Sequence, residues 1–304
     1  LILSDYFNWK RDDFKYLMGI GAYIFNRNDF KEKSSLSQDE LIWIFDKYKD
    51  FDKIDPEKFM RQSKAFQDSG LYLILDDKNK SYALTKFHNT FKKSPMAHSH
   101  YDMLSIALTH FDQKIFIDAG SFCYTLNSKK RNLYRGSFYH NIVTLNNSEI
   151  HPLSSDVFNM SWSGVKVELI KWDVTNDNIN LVGQHNGYYK NYGCYVKRSI
   201  NYTKKDCSWK IIDEVIGDNR KVKEVNSHWL LSDNIIPKYS ETKQDGSIIY
   251  IDQKSGVKFK FKNHQNISIE KHTFSPSYGI EKNTLMIRTN IPVNNKIIAS
   301  LVIW

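Results

Sequence analysis

The chain has 304 residues, enough for one large domain or two ordinary ones, and its 41% hydrophobic and 14% aromatic content excludes a disordered protein. A formal net charge of +9 favours an anionic partner. The lysines are spread along the whole chain without a dense basic run, so nucleic acid is not the expected partner.

No apolar run approaches the roughly 18 residues that span a bilayer, so no membrane span is expected. The three cysteines, Cys123, Cys194 and Cys207, make neither a disulfide framework nor a CxxC metal site. The chain begins at Leu1 without a leader-like segment and reads as part of a longer or processed protein.

Residues 1–60 carry helical periodicity. Phe14, Leu17, Met18, Gly21, Ile24 and Phe25 fall on one face of a helix. A second helix is expected after Ser37, where Ser37-Gln-Asp-Glu40 forms a capping box, and it continues through Leu41, Ile42, Ile44, Phe45 and Tyr48. Two helices are too little for an independent domain and read as the end of a larger helical unit.

The remaining residues, 61–304, change to short strands separated by polar turns. Leu71–Leu75 and Ser81–Leu84 flank a loop at 76–80 and predict a hairpin. Further strands are expected at 115–117, 142–145, 165–170, 195–200, 209–212, 248–251, 257–261 and 297–304. Many short strands with almost no helix predict a mainly β fold of stacked antiparallel sheets, a β-sandwich.

The segment Ser94-Pro-Met-Ala-His-Ser-His-Tyr-Asp-Met-Leu-Ser105 carries the chemistry. On a strand, His98 and His100 project from one face and suit two metal ligands, or one ligand beside an acid/base group. An isolated HxH pair is more often a pair of surface or core residues. Two later features add weight. Ile115-Phe-Ile-Asp-Ala-Gly120 ends a strand with Asp118, a turn former or a ligand, and His140 precedes the strand at 142–145. Two histidines and an aspartate make the three-ligand set of an open zinc site.

In order, A-H-S-H-Y-D-M-L-S, F-I-D-A-G-S-F-C-Y and R-N-L-Y-R-G-S-F-Y-H-N-I-V resemble the heparinase II/III-like polysaccharide lyases. Those enzymes combine a helical (α/α) toroid with stacked antiparallel sheets, so residues 1–60 would be the tail of a truncated toroid. The resemblance implies a catalytic role for His98, neutralising a substrate carboxylate or moving protons. It implies one structural zinc held by His100, Asp118 and His140. Tyr134 stands where alginate-cleaving relatives contact substrate, with a packed tyrosine as the alternative. Arg135 and Arg131 are candidate anion clamps, through guanidinium–carboxylate or guanidinium–sulfate pairs. Asp102 would orient a histidine or cap the local turn. His185 and His228 are more readily sheet histidines, and His88, His110, His151, His264 and His272 look like surface residues.

The expected reaction is β-elimination on a uronate-containing acidic polysaccharide. It needs C5 proton removal, carboxylate neutralisation and protonation of the leaving oxygen. In the family, a toroid tyrosine with an Asn or His supplies part of this, so the chain alone is expected to show little activity. Polymer access and family habit point to the periplasm or cell surface of a bacterium. The competing reading is a non-catalytic carbohydrate-binding or structural β-domain in surface polysaccharide assembly.

Overall fold

A computed structural model describes residues 15–34, 45, 51, 53–58, 61–88, 98–154, 164–294 and 297–304. Its contacts divide the chain into two units, Leu1–Arg61 and Gln62–Trp304. In the first, helix α1 (Lys15–Phe25) is followed at once by the short α2 (Asn28–Glu32). Its buried side is built from small residues, Gly19, Gly21 and Ala22, while Leu17, Ile24 and Phe25 are exposed. Ala22 clusters with Phe51 and Ile54, and Phe30 packs against them. The expected helix after Ser37, with its capping box, lies outside the described residues.

The second unit is mainly β, with every strand pair antiparallel. Strands β1 (Lys64–Phe66), β2 (Leu71–Asp76), β3 (Ser81–Lys86), β4 (Ser105–His110) and β5 (Gln113–Phe116) form a five-stranded sheet in chain order. The predicted hairpin is β2–β3, with Asp76 opposite Ser81. Helix α3 (Ser128–Arg135) then intervenes, capped by the Asn127 carboxamide oxygen, which accepts from Lys130 N–H at 2.9 Å.

Strand β6 (Val143–Leu145) leads to β7 (Val167–Val174), β8 (Asn178–His185), the short α4 (Tyr189–Tyr192), β9 (Cys194–Thr203) and β10 (Ser208–Gly217). The chain ends with β11 (Val225–Leu230), β12 (Pro237–Thr242), β13 (Ile248–Asp252), β14 (Lys258–Lys262), β15 (Gln265–Ser277), β16 (Ile280–Asn290) and β17 (Ile297–Ile303). Eight strands pair in the order β12-β13-β14-β17-β10-β9-β8-β7, and four in the order β15-β16-β11-β6.

The period-two pattern decides which faces meet. On β9, Cys194, Val196, Arg198, Ile200 and Tyr202 are buried and alternate with half-buried residues. Ile74 and Leu108 from the first sheet, Trp209, Phe259 and Ile303 from the second, and Trp229 and Ile287 from the third share one buried cluster. The core therefore lies where the three sheets face one another.

One charge pair sits inside this core. Arg198 on β9 is 1% exposed and lies opposite Asp213 on β10 in the ladder register. Its Nε and terminal nitrogen donate to the two carboxylate oxygens at 2.7 and 2.9 Å. The other nitrogen donates to the carbonyls of Leu104, at 2.9 Å, and Asn141, at 2.5 Å. Asn141 in turn donates to the carbonyls of Ile106 and Ile117, at 2.8 and 2.9 Å, and its side-chain oxygen accepts from Leu230 N–H. Arg198 and Asn141 together thus link the three sheets beside His140.

Candidate functional site

His98 and His100 were expected on a strand. They lie instead in irregular chain before β4, which begins only at Ser105. They still reach a common place, because both line a recess of about 310 Å³ with Lys86, Asp102, Asp118 and Ser121. Its floor is the end of β3 and the start of β4, where Lys86 pairs with Ser105. His98 is exposed at the rim and meets the Tyr124 ring edge-on at 5.0 Å.

The deeper part is a His/Asp cluster. One potential ligand atom each from His100, Asp102 and His140 lies within 4.8 Å of the others. His140 is fully buried, and the His100 and His140 rings are 5.2 Å apart. Asp118 follows β5 and divides its two oxygens. Oδ1 accepts from Gly120 N–H at 2.8 Å, the turn-forming role, while Oδ2 lies 2.9 Å from His140 Nδ1. The sequence expectation set Asp118 in the ligand set and Asp102 behind it. The geometry brings both carboxylates to the two histidines, with Asp102 in the compact triplet and Asp118 on the far nitrogen of His140.

Burial and charge set the protonation. Burial pushes His100 down to about 4, helped by His140, and this outweighs the pull of Asp102 and Asp118. His100 is therefore neutral, with a lone pair available. Burial also works against a charged His140, but the Asp118 charge and hydrogen bond overcome it and raise the pKa. Burial works against an ionised Asp118 too, yet His140, His100 and Gly120 N–H hold its carboxyl far below the usual carboxylate range. About half of the Asp118 side-chain surface remains open to solvent.

His140 Nε2 and Asp102 Oδ1 are buried without a hydrogen-bond partner among the described residues. Two such orphans cost free energy unless something binds them. Two imidazoles with one carboxylate are a donor set suited to zinc, and the arrangement fits such an ion. The second oxygen of Asp102 accepts from Lys86 Nζ at 2.7 Å.

Lys86 is the residue sequence reasoning missed. A lysine ending a hairpin strand carries no signal that separates it from a solvated side chain. Only the β3–β4 pairing aims it at Asp102.

Three candidates do not reach the recess. Tyr134, on α3, is 1% exposed, stacks against Phe122 at 5.7 Å and donates its hydroxyl to Glu281 at 2.8 Å. Burial is the main cause that raises its pKa. Arg131 and Arg135 lie on the buried side of the same helix rather than at the surface. Arg135 is pushed down to about 10 by burial. The helix was not foreseen, and its 3.6-residue period turns all three inward.

Four other histidines are packing residues. His185 Nδ1 accepts from Gly187 N–H at 3.1 Å, and His228 meets the Thr144 hydroxyl at 3.0 Å. His110 and His264, expected at the surface, are buried, His110 against Ser81 and Trp209 and His264 against Thr289. Each lies on an inward strand face or strand end, which isolated histidines do not reveal.

Stacked antiparallel sheets around a recess lined by histidines, carboxylates and a lysine define the class, a β-sandwich with a candidate metal site. A family profile described as "Heparinase II/III-like, C-terminal" matches residues 60–299. The chain belongs to that family. Among solved structures it is similar to heparan sulfate lyase HepC from Pedobacter heparinus, with 19% identity, TM-score 0.68, and coverage of 95% of this chain and 41% of that one. It is also similar to a heparinase III, with 14% identity, TM-score 0.68, and coverage of 94% and 41%. The chain thus spans about two fifths of these structures. No curated protein matches.

Proposed function

We propose that this chain is the C-terminal part of a polysaccharide lyase that cleaves a uronate-containing acidic polymer by β-elimination. The observation that carries the reading is the recess where exposed His98 and the Lys86 ammonium stand beside the buried His100, Asp102 and His140 cluster. Elimination leaves a carboxylate to neutralise and two proton transfers to perform. His98 is the group at the rim with both lone pair and donor for these tasks. Lys86 adds positive charge to the recess. The family's remaining acid/base groups come from the helical toroid, so the two parts together would complete the site.

A zinc ion held by His100, His140 and a carboxylate would be structural, fixing the wall that carries His98. Two carboxylates compete for the third place. Family resemblance assigns it to Asp118, whereas the unpartnered Asp102 Oδ1 and His140 Nε2 favour Asp102. With Asp102 as ligand, Asp118 would hold the imidazole from behind, an arrangement common at metal sites. A polymer substrate of this kind places the protein in the periplasm or at the cell surface.

The test uses the full-length protein with heparan sulfate and with alginate, following unsaturated uronate by ultraviolet absorbance. His98→Ala should abolish product while leaving zinc content unchanged. Wild-type rates in that variant would remove His98 from the chemistry. Absence of product from the wild type on every uronate polymer would remove the lyase reading.

A further inference from the structure

Beside the recess, exposed rings continue outward from His98. Tyr124, 40% exposed, meets His98 at 5.0 Å, and Tyr278, 55% exposed, lies 5.9 Å beyond it with its plane tilted by 31°. Tyr278 occupies the two-residue tip of the β15–β16 hairpin, between the paired Ser277 and Ile280. Ile280, 45% exposed, follows at the start of β16 beside the tip. Exposed rings in contact with one another beside a recess suit a binding surface.

The hairpin tip is held to the segment that follows Asp118. Ser275 N–H donates to the Ala119 carbonyl, and Gly279 N–H to the Phe122 carbonyl, both at 2.7 Å. Farther along, Glu281 accepts from Lys130 and from Tyr134, both at 2.8 Å. The approach at Gly120 is so close that a Cβ there would lie 2.2 Å from the Ser275 carbonyl oxygen. These links fix Tyr278 relative to the segment that leads into Tyr124 before any ligand arrives, which lowers the ordering cost of binding. They also give Tyr134 and Glu281 a role, since they anchor the tip rather than contact substrate.

We propose that the β15–β16 tip is a second sugar subsite of the acidic polymer, with Tyr278 and Tyr124 binding the unit next to the one at His98. The inference rests on the lyase reading and adds where the chain of sugars runs. A pyranose ring presents an apolar C–H face that packs on an aromatic ring, while its carboxylate and hydroxyls stay in water. The continuous path of rings from His98 selects an extended polymer over a single sugar.

The experiment is titration calorimetry of the full-length protein with a disaccharide and an octasaccharide of heparan sulfate and of alginate. Tyr278→Ala should weaken the octasaccharide about tenfold, a size typical of one lost aromatic contact, and leave the disaccharide within about twofold. Tyr278→Phe should bind both as the wild type does. An unchanged melting temperature is expected, because the side chain is exposed. If His98→Ala weakens both lengths but Tyr278→Ala changes neither, the subsite is wrong and the lyase reading stands. If the full-length wild type binds neither length of either polymer, the lyase reading falls and the subsite with it.

Discussion

Arg198 offers the most demanding test of how the sheets hold the site. Arg198→Met removes the guanidinium that bridges Asp213 and the carbonyls of Leu104 and Asn141. Asp213 is 4% exposed and would be left as an uncompensated buried charge. Breaking such a pair costs about 3–5 kcal/mol, and two carbonyls losing their donor add to it, though not additively. A loss of about 4 kcal/mol is a large share of the 5–15 kcal/mol that stabilises a typical domain. The assay is urea unfolding followed by tryptophan fluorescence. The pair variant Arg198→Met with Asp213→Leu should recover part of the loss, because the stranded charge is gone while the carbonyls stay unpaired. Zinc content should fall in the single variant too, since Asn141 adjoins His140. A single variant within about 1 kcal/mol of wild type would refute the view that Arg198 helps link the sheets.

Three further outcomes follow from the same contacts. His110 and His264, pushed down to about 4, and His185 and His228, pushed down to about 3, are all buried neutral, with burial the leading cause. Their unfolded pKa lies near 6.5, so below it the unfolded state binds more protons, and stability present above that pH is lost as pH falls toward 4. Each contributes a slope of about 1.4 kcal/mol per pH unit in that window, so the urea midpoint should drop by a readily measured amount between pH 7 and 5; equal midpoints would contradict the assignment. His100→Ala should reduce zinc from about one per chain to none by elemental analysis and lower the melting temperature, and comparing Asp102→Ala with Asp118→Ala identifies the third ligand; unchanged metal in all three would remove the site. Gly120→Ala, at φ +75° and against the Ser275 carbonyl, should cost about 2 kcal/mol or more and loosen the β15–β16 tip, read by hydrogen exchange; normal protection of the Ser275 and Gly279 amides would count against that anchoring.

Much of the β architecture was legible because its inner strands bury apolar residues at period two. Leu71–Asp76 and Ile297–Ile303 announce themselves in this way, whereas Ser81–Lys86 alternates with Tyr82 and Leu84 on its exposed side. The outer elements do not. β12, with Lys238–Thr242 exposed, and the long β15, mostly half-buried or exposed, are strands because a partner strand completes their ladder. Nothing in their side-chain pattern demands it. The α3 helix escaped because its inward face is Arg131, Tyr134 and Arg135, residues whose burial depends on tertiary partners. Its one local signal was the Asn127 cap.

The site divides along the same line. His98, His100, Asp118 and His140 could be read from spacing and resemblance because each is a chemistry-bearing residue beside a strand. Lys86, Tyr124 and Tyr278 could not, since each is an ordinary surface residue type given meaning by long-range pairing. Lys86 meets Asp102 only through the β3–β4 ladder, and Tyr278 meets Tyr124 only because Gly279 and Ser275 tie the hairpin to the loop after Asp118. The motif residues thus mark the recess, and the non-local contacts around them determine what else lines it. On the proposed lyase reading, an enzyme that must recognise a polymer but cut one bond would have reason to be built in this way. The reacting group needs fixed neighbours in sequence, while the subsites beyond it can be supplied by any segment the sheets bring alongside.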